Sequence, residues 1–408
     1  MSTGLRLTCS LDGGARPCYS VTMRIVMVGP FGFHPKKTMR ARAFRLARPL
    51  AACGHDVALV MPPWHTPEEA GRRWEEDGVA VQYVSLRGGV LGTTRALLQA
   101  TLAFRPDVVH CFKPKAYSGL VAWGLWHRHR RRLRLVVDSD DWEGWGGWND
   151  NAPYSPLQKR FFAWQERWGL THQHALTVAS RALQSLAWAQ GVPRAQVHYL
   201  PNGAGIEPGI PAGTRREALG LAGRPVLLLY SRLFEFDAGR LVAILQQVRA
   251  ALPDLAVLAV GAGLYEEDAA ALRRQLAETG LLDRALVDAG WVAEAELPAL
   301  LAAADVGLYL MDDTLLNRTK CPVKLADMLA VGVPVVAEAV GQVPEYVVHR
   351  ETGLLRASGD VEGLAADLVA LLEDAALRRR LGQQAASHIE RHFSWQRLAA
   401  TALEAYRG

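Results

Sequence analysis

Short apolar strands alternate with amphipathic helical stretches twice along this chain. A run of glycine and proline, GAGIEPGIPAG, separates the two series. The first series opens at Met23 with MRIVMVGP and continues through HDVALVMP, QYVSL, PDVVHCF, LRLVVDSDD and ALTVAS. Helices are expected over residues 38–53, 157–171 and 182–190. The second series reads PVLLLYSR, LAVLAVGAG, ALVDAGWV, DVGLYLM and VPVVAEA, with helices over 239–252, 266–279 and 295–303. Strands joined through helices pair in parallel, with helices on both faces of the sheet. The pattern therefore predicts an α/β protein of two doubly wound, Rossmann-like domains.

At 408 residues each half is long enough for a core of its own. The expected division is a polar extension at 1–22, a first domain at 23–203, a linker at 204–223, a second domain at 224–392 and a final helix at 393–408. The extension lacks the apolar core of a secretory signal, so it is expected to be dispensable for folding. Ligands on such sheets collect at the carboxyl ends of the strands. In the first domain those ends are Gly29-Pro30-Phe31-Gly32, Lys113-Pro114-Lys115 and Asp138-Ser139-Asp140-Asp141-Trp142.

Bulk properties exclude several classes. No apolar run approaches the ~20 residues that span a bilayer. Five scattered cysteines form neither a metal-ligand spacing nor a disulfide framework, which suits a reducing cytoplasm. The net charge of +5 hides an asymmetry. Residues 1–205 carry 26 Lys and Arg against 14 Asp and Glu, net +12; the rest carry 20 against 27, net −7. The basic half is either a solvated face or one attracted to an anionic surface or substrate. A peripheral position at the inner membrane face is the hypothesis that follows, motivated also by arginines 40, 42, 45 and 48 along the 38–53 helix. No nucleic-acid-binding module is recognisable.

The stretch NRTKCPVKLADMLAVGVPVVAEAVGQVPEY, Asn317 to Tyr346, carries the chemistry. A polar turn enters an apolar helix that stops at Gly332. A helix start leaves N–H groups free and favours an anion, here at Val323, Lys324 and Leu325. Lys320 and Lys324 add cations at the same end. Asp327 lies on the same helix face as Lys324, and its carboxylate could accept two hydroxyl hydrogen bonds, as from a ribose. This reads as a site for a nucleoside diphosphate.

The run from Lys324 to Ala337, KLADMLAVGVPVVA, resembles retaining glycosyltransferases of family 4, whose GT-B fold implies two doubly wound domains facing across a cleft. Those enzymes carry an E-x7-E pattern inside K-L-x-E-x-M-A-x-G-x-P-V-V-A. Here Asp327 stands at the second Glu and Thr319 at the first. The resemblance covers nearly the whole chain from Met23 onward. It implies a nucleotide-sugar donor, UDP- or GDP-linked, with no other cofactor and no metal, and a final helix that crosses back onto the first domain. It also implies R-L-x-x-x-K-G after the second domain's first strand. The chain has Arg232-Leu233-Phe234-Glu235-Phe236-Asp237-Ala238 there, keeping the Arg and lacking the Lys. Gly290-Trp291-Val292 stands where the family's backbone meets the nucleotide base; a sheet-closing core Trp is the alternative.

Asp138-Ser139-Asp140-Asp141-Trp142-Glu143-Gly144-Trp145-Gly146-Gly147-Trp148-Asn149 is the most unusual run. Flat aromatic faces and carboxylates suit the C–H faces and hydroxyls of sugars. Relatives often place a His on this loop; acids replace it here. Asp140 and Asp141 are the candidates for contacting donor sugar or acceptor, with Lys324 as the third catalytic candidate. Trp142, Trp145, Lys113 and Lys115 are acceptor candidates, the lysines being otherwise solvated loop cations. Gly32, Arg232, Trp291, Val292, Thr319, Lys320, Val323, Lys324, Leu325 and Asp327 are the donor-binding candidates. His110 reads as a packed strand residue, and residues 128–134 as a solvated helix end.

The resulting expectation is a retaining transferase moving a sugar from a nucleotide-diphosphate sugar to an acceptor hydroxyl of a glycolipid, polysaccharide or other glycoconjugate. Two rivals stay open. One is a sugar-nucleotide 2-epimerase of the same fold. The other is a non-catalytic nucleotide-sugar-binding protein, motivated by Thr319 and Asp237.

Overall fold

The computed structural model describes residues 22–34, 38–206, 213–261, 266–281 and 285–408. Nearly all of the expected extension, residues 1–21, lies outside that set. The chain divides into two compact units, one of residues up to Pro201 together with Trp395–Gly408, the other of Asn202–Ser394.

The first unit is built on β1 (Arg24–Val28), β2 (Asp56–Met61), β3 (Arg73–Glu76), β4 (Val79–Tyr83), β5 (Val108–Phe112), β6 (Arg134–Ser139), β7 (Ala175–Val178) and β8 (Val197–Tyr199). Their order is β3-β4-β2-β1-β5-β6-β7-β8. Central strands such as RIVMV and VVHCF are buried at all but one position and nearly all apolar because both sheet faces are covered. All neighbours run parallel except β3 and β4. That antiparallel pair turns on Asp77 and Gly78, both at positive φ, as a two-residue hairpin requires. The strand reading overlooked β3, although its Asp-Gly pair is the signal for it.

The helix expected at 38–53 begins as a π-helical turn, Met39–Phe44, and continues as α1 (Arg45–Ala52). With the C-terminal helix Trp395–Arg407 it covers one sheet face, in a core that includes Met27, Phe44, Leu46, Leu398 and Tyr406. Its arginines do not form a basic outer surface, which corrects that expectation. Arg42 is buried and bonds Asp138 through Nε (2.7 Å) and Nη2 (2.6 Å). Arg40 pairs with Glu76 at 2.6 Å and Arg48 with Asp77 at 2.8 Å.

The other face carries α2 (Gly89–Ala103) and α3 (Ala116–His129), whose Leu97 and Leu125 share a core with Val26, Val109 and Leu135 of the strands. After the short α4 (Trp148–Asn151), α5 (Pro156–Thr171) lies against α3. Its start is set by a capping box between Ser155 and Gln158, with Pro156 in the first turn. Helix α6 (Arg181–Ala189) joins β7 to β8.

The second unit has β9 (Val226–Leu229), β10 (Ala256–Ala259), β11 (Leu286–Asp288), β12 (Val306–Tyr309), β13 (Val335–Glu338) and β14 (Gly353–Arg356). The order is β11-β10-β9-β12-β13-β14, all parallel. Inside the stretch expected to be linker lies a helix, α7 (Gly213–Ala218). Then come α8 (Ala238–Ala251), α9 (Glu266–Glu278), α10 (Leu297–Leu301), α11 (Leu315–Thr319), α12 (Val323–Ala330) and α13 (Val343–Tyr346). Two helices follow β14, α14 (Val361–Glu373) and α15 (Ala375–Phe393), capped by Asp360 and Asp374. Gly332 closes α12 at φ +77°, and its carbonyl lies where a side chain on Gly382 of α15 would stand. Glycine at both places lets the two helices meet.

Candidate active-site residues

In the second unit the ends of β9, β10 and β11 converge on one lysine. Lys324 Nζ donates to the Gly261 carbonyl at 3.2 Å and lies 4.3 Å from the Tyr230 ring and 5.8 Å from the Trp291 ring. Gly261 follows β10, and its amide bonds the Gly290 carbonyl beyond β11 at 2.7 Å. Helix α12 starts at Pro322 with no side-chain cap. The first amides of a helix, here at Val323, Lys324 and Leu325, have no acceptor within the helix itself. Trp291 is 66% exposed and Val292 half-buried, so Trp291 is not a core residue closing the sheet.

Asp327 is buried one turn further along, and its Oδ1 accepts the Gly205 amide at 2.6 Å. The segment before Gly205 is tied to the same turn. Asn202 donates its amide to Cys321 Sγ (3.1 Å) and its Nδ2 to the Cys321 carbonyl (3.0 Å), while Tyr346 Oη donates to the Asn202 carbonyl (2.6 Å).

Arg232, just beyond β9, is exposed and makes no ion pair among the described residues. The next residue, Leu233, is held at φ +70°. That conformation is uncommon for a branched side chain and strained. Lys320 differs from the expectation of a free phosphate cation. It is buried, 3.4 Å from Glu235 Oε1 and 4.0 Å from the Phe234 ring centre. Thr319 is fully buried, and its hydroxyl donates to the Leu316 carbonyl at 2.9 Å.

In the first unit the ends of β5 and β6 form a second polar centre. Lys113 Nζ lies 3.0 Å from Asp140 Oδ1, 2.9 Å from Asp141 Oδ2 and 3.1 Å from Glu143 Oε1. Lys115 Nζ donates to Glu143 Oε2 at 2.6 Å and rests over the Tyr154 and Phe162 rings. Both lysines are buried, so neither is a solvated loop cation. Lys113 itself sits at φ +52°. Burial works against its charge, but the three carboxylates outweigh it and hold its pKa well above the ordinary range. Burial pushes Asp140 up to about 6 against the pull of Lys113. For Glu143 burial is overcome by Lys113 and Lys115, which bring it down to about 2.

Glu166 of α5 completes the group. It is fully buried, and neither carboxylate oxygen has a hydrogen-bond partner among the described residues. Burial, reinforced by the charge of Glu143, raises its pKa well above normal. Glu143 stood inside the acidic loop but was not among the candidates named there; Glu166 carried no signal beyond being one acid on an aromatic helix.

Trp142 is packed, its Nε1 donating to the Trp145 carbonyl at 2.7 Å, and a side chain on Gly144 would fall 2.6 Å from its ring. Trp145 is exposed. Gly32 lies against Tyr83, whose hydroxyl accepts the Phe33 amide at 3.0 Å. His110 is sealed between Tyr406 Oη (2.8 Å) and Thr177 Oγ1 (3.0 Å), and burial lowers its pKa to about 4.

The profile of the Glycosyl transferase 4-like domain matches residues 37–203, and that of Glycosyl transferases group 1 matches residues 224–374. The chain belongs to this glycosyltransferase family. It is 30% identical over 242 residues to the GDP-mannose-dependent alpha-(1-6)-phosphatidylinositol monomannoside mannosyltransferase of Mycolicibacterium smegmatis, covering 57% of this chain and 62% of that relative. That match spans less than two thirds of the relative's length. Glycogen synthase of Mycobacterium tuberculosis is 26% identical over 420 aligned residues, 93% of this chain and 91% of the relative. Among solved structures, Anabaena Alr3699/HepE in complex with UDP and glucose superposes with a TM-score of 0.70 at 18% identity, over 94% of this chain and 98% of that one. This likeness shows the fold, two Rossmann-like α/β domains of the GT-B class.

Two positions where this glycosyltransferase departs from the family pattern have structural roles of their own. Asp237, in place of the Lys, caps α8 by accepting the Arg240 amide at 3.0 Å. Thr319, in place of the first Glu, serves α11 internally.

Proposed function

We propose that the chain is a retaining glycosyltransferase that moves a sugar from a UDP- or GDP-sugar to an acceptor hydroxyl. The observation that carries this is Lys324, placed among three strand ends beside the uncapped start of α12. A leaving nucleoside diphosphate gains negative charge as the glycosidic bond breaks. A lysine, oriented amides and the exposed Arg232 stabilise that charge without moving. Trp291 and Val292 are assigned to the base and Asp327 to the ribose. Asp140 and Asp141 are assigned to hydroxyls of the transferred sugar or the acceptor, with Lys113 fixing their positions.

The acceptor is assigned to the glycolipids, polysaccharides and other glycoconjugates, and the protein to the cytoplasm. The GDP-mannose dependence of one relative and the UDP and glucose bound in the similar structure support the donor class. Calorimetric titration with UDP and GDP, followed by transfer from the matching sugar nucleotides to a lipid or glycan extract, tests the reading. Retention is read from the anomeric proton coupling of the product. Absence of affinity for either nucleotide would overturn the assignment.

A second reading, a nucleotide-sugar-binding protein without transferase activity, draws on Thr319 and Asp237 standing in structural roles. Donor affinity without transfer or donor hydrolysis would select it.

A further inference from the structure

Helix α5 leaves apolar side chains in solvent. Its buried residues are Gln165, Glu166, Gly169 and Leu170, while its outward face carries Leu157, Phe161 and Trp164, exposed by 78%, 39% and 45%. Positions 157, 161 and 164 fall on one side of a helix, so the exposure is a stripe and not three accidents. The rings form a chain, with 5.7 Å between Phe161 and Trp164 and 6.3 Å between Trp164 and Trp168. On α3, which packs against α5, Trp123 is exposed as well.

Charge on the same layer has one sign. Residues 89–103, 116–133 and 156–171, which contain α2, α3 and α5, hold eight lysines and arginines and a single acid, the buried Glu166. Arg160 and Arg167 are exposed beside the aromatic stripe and make no ion pair among the described residues. No helix among the described residues is long and apolar enough to cross a membrane.

We infer that α5, with the neighbouring end of α3, docks this protein on an anionic lipid surface. Tryptophan and phenylalanine are stable at a bilayer interface, where their rings are buried and polar edges stay wet. A helix with apolar rings on its outer stripe and arginines alongside lies in the interface plane, held by buried apolar area and attraction to acidic headgroups. The charge complementarity selects lipid over a second copy of the chain, since two such faces would repel. The inference does not depend on which sugar is transferred, because none of these residues belongs to either polar centre.

The test uses the full chain with vesicles of phosphatidylcholine alone or mixed with phosphatidylglycerol, at low and high salt. Sedimentation should show binding to the mixed vesicles only, weakened by salt. Arg160→Glu with Arg167→Glu should lower partition by roughly tenfold or more. Phe161→Ser with Trp164→Ser should lower it comparably, and both pairs should keep wild-type nucleotide affinity and melting temperature. Equal partition of the variants and the parent, or equal binding to both vesicle types, overturns the proposal. So does a dimer in ultracentrifugation that the same substitutions dissociate, which would give the face to a second copy.

Discussion

Asp327 Oδ1 receives the amide of Gly205 at 2.6 Å, so the acid assigned to the ribose also holds a backbone segment 122 residues away in sequence. The two roles separate by substitution. Asp327→Ala strips the Gly205 amide of an acceptor, at a cost of about 1–3 kcal/mol, and should lower the melting temperature by several degrees. Asp327→Asn keeps an oxygen there and should stay within about a degree or two of the parent. Asp327→Asn should still weaken nucleoside and nucleoside diphosphate equally, because the charge is lost from the ribose side only. Calorimetry that shows a loss confined to the diphosphate would refute the ribose assignment.

Lys324 and Arg232 should behave differently from Asp327. Lys324→Met removes a cation at the proposed diphosphate, and a charge-assisted hydrogen bond is worth about 1.5–3 kcal/mol, or roughly ten- to a hundredfold in affinity. Arg232→Ala should show a loss of the same order, because the arginine is exposed and makes no ion pair among the described residues. Both losses should appear for UDP or GDP and nearly vanish for the bare nucleoside. Trp291→Ala should weaken both ligands together, as a residue under the base would. An identical response of all three variants to both ligands would move the diphosphate elsewhere.

Lys113 and Lys115 occupy one buried cluster but carry different loads. Lys113 meets three carboxylates, whereas Lys115 meets one and leans on two rings. Breaking a buried ionic group by removing one partner typically costs about 3–5 kcal/mol. Lys113→Met should approach that figure in urea unfolding, and Lys115→Met should fall clearly short of it. Equal midpoints would mean the cluster reorganises around whichever lysine remains.

Periodicity made the parallel strands legible because strands such as β1 and β5 are apolar on both faces. The start of α12 was legible because Lys324, Asp327 and Gly332 carry their meaning in local spacing. Lys320 was misjudged for the opposite reason. Its partner, Glu235, lies 85 residues away in sequence, and no local pattern announces a buried pair of that span. The same holds for Arg42, which looked like part of a basic surface and instead reaches Asp138 across the sheet. Glu166 was invisible because its effect comes only from what surrounds it after folding.

Asp140 and Glu143 should give the protein a stability profile with two opposed limbs in acid. Glu143 is brought down to about 2 from 4.5, since Lys113 and Lys115 overcome the effect of burial. Its contribution is complete above pH 4.5 and is lost as the pH falls toward 2. Asp140 is raised by burial from 3.8 to about 6, with Lys113 opposing. Between those values the folded state keeps a proton that the unfolded chain has released. Stability from this group therefore falls as the pH rises from about 4 to about 6, and levels off beyond. Asp140→Asn deletes this second limb and leaves the first. Urea unfolding of parent and variant from pH 3 to 7 reads both. The variant's stability relative to the parent should climb between pH 4 and 6 and stay level above that. A difference independent of pH would show that Asp140 titrates in the fold as it does in the unfolded chain, with burial and Lys113 cancelling.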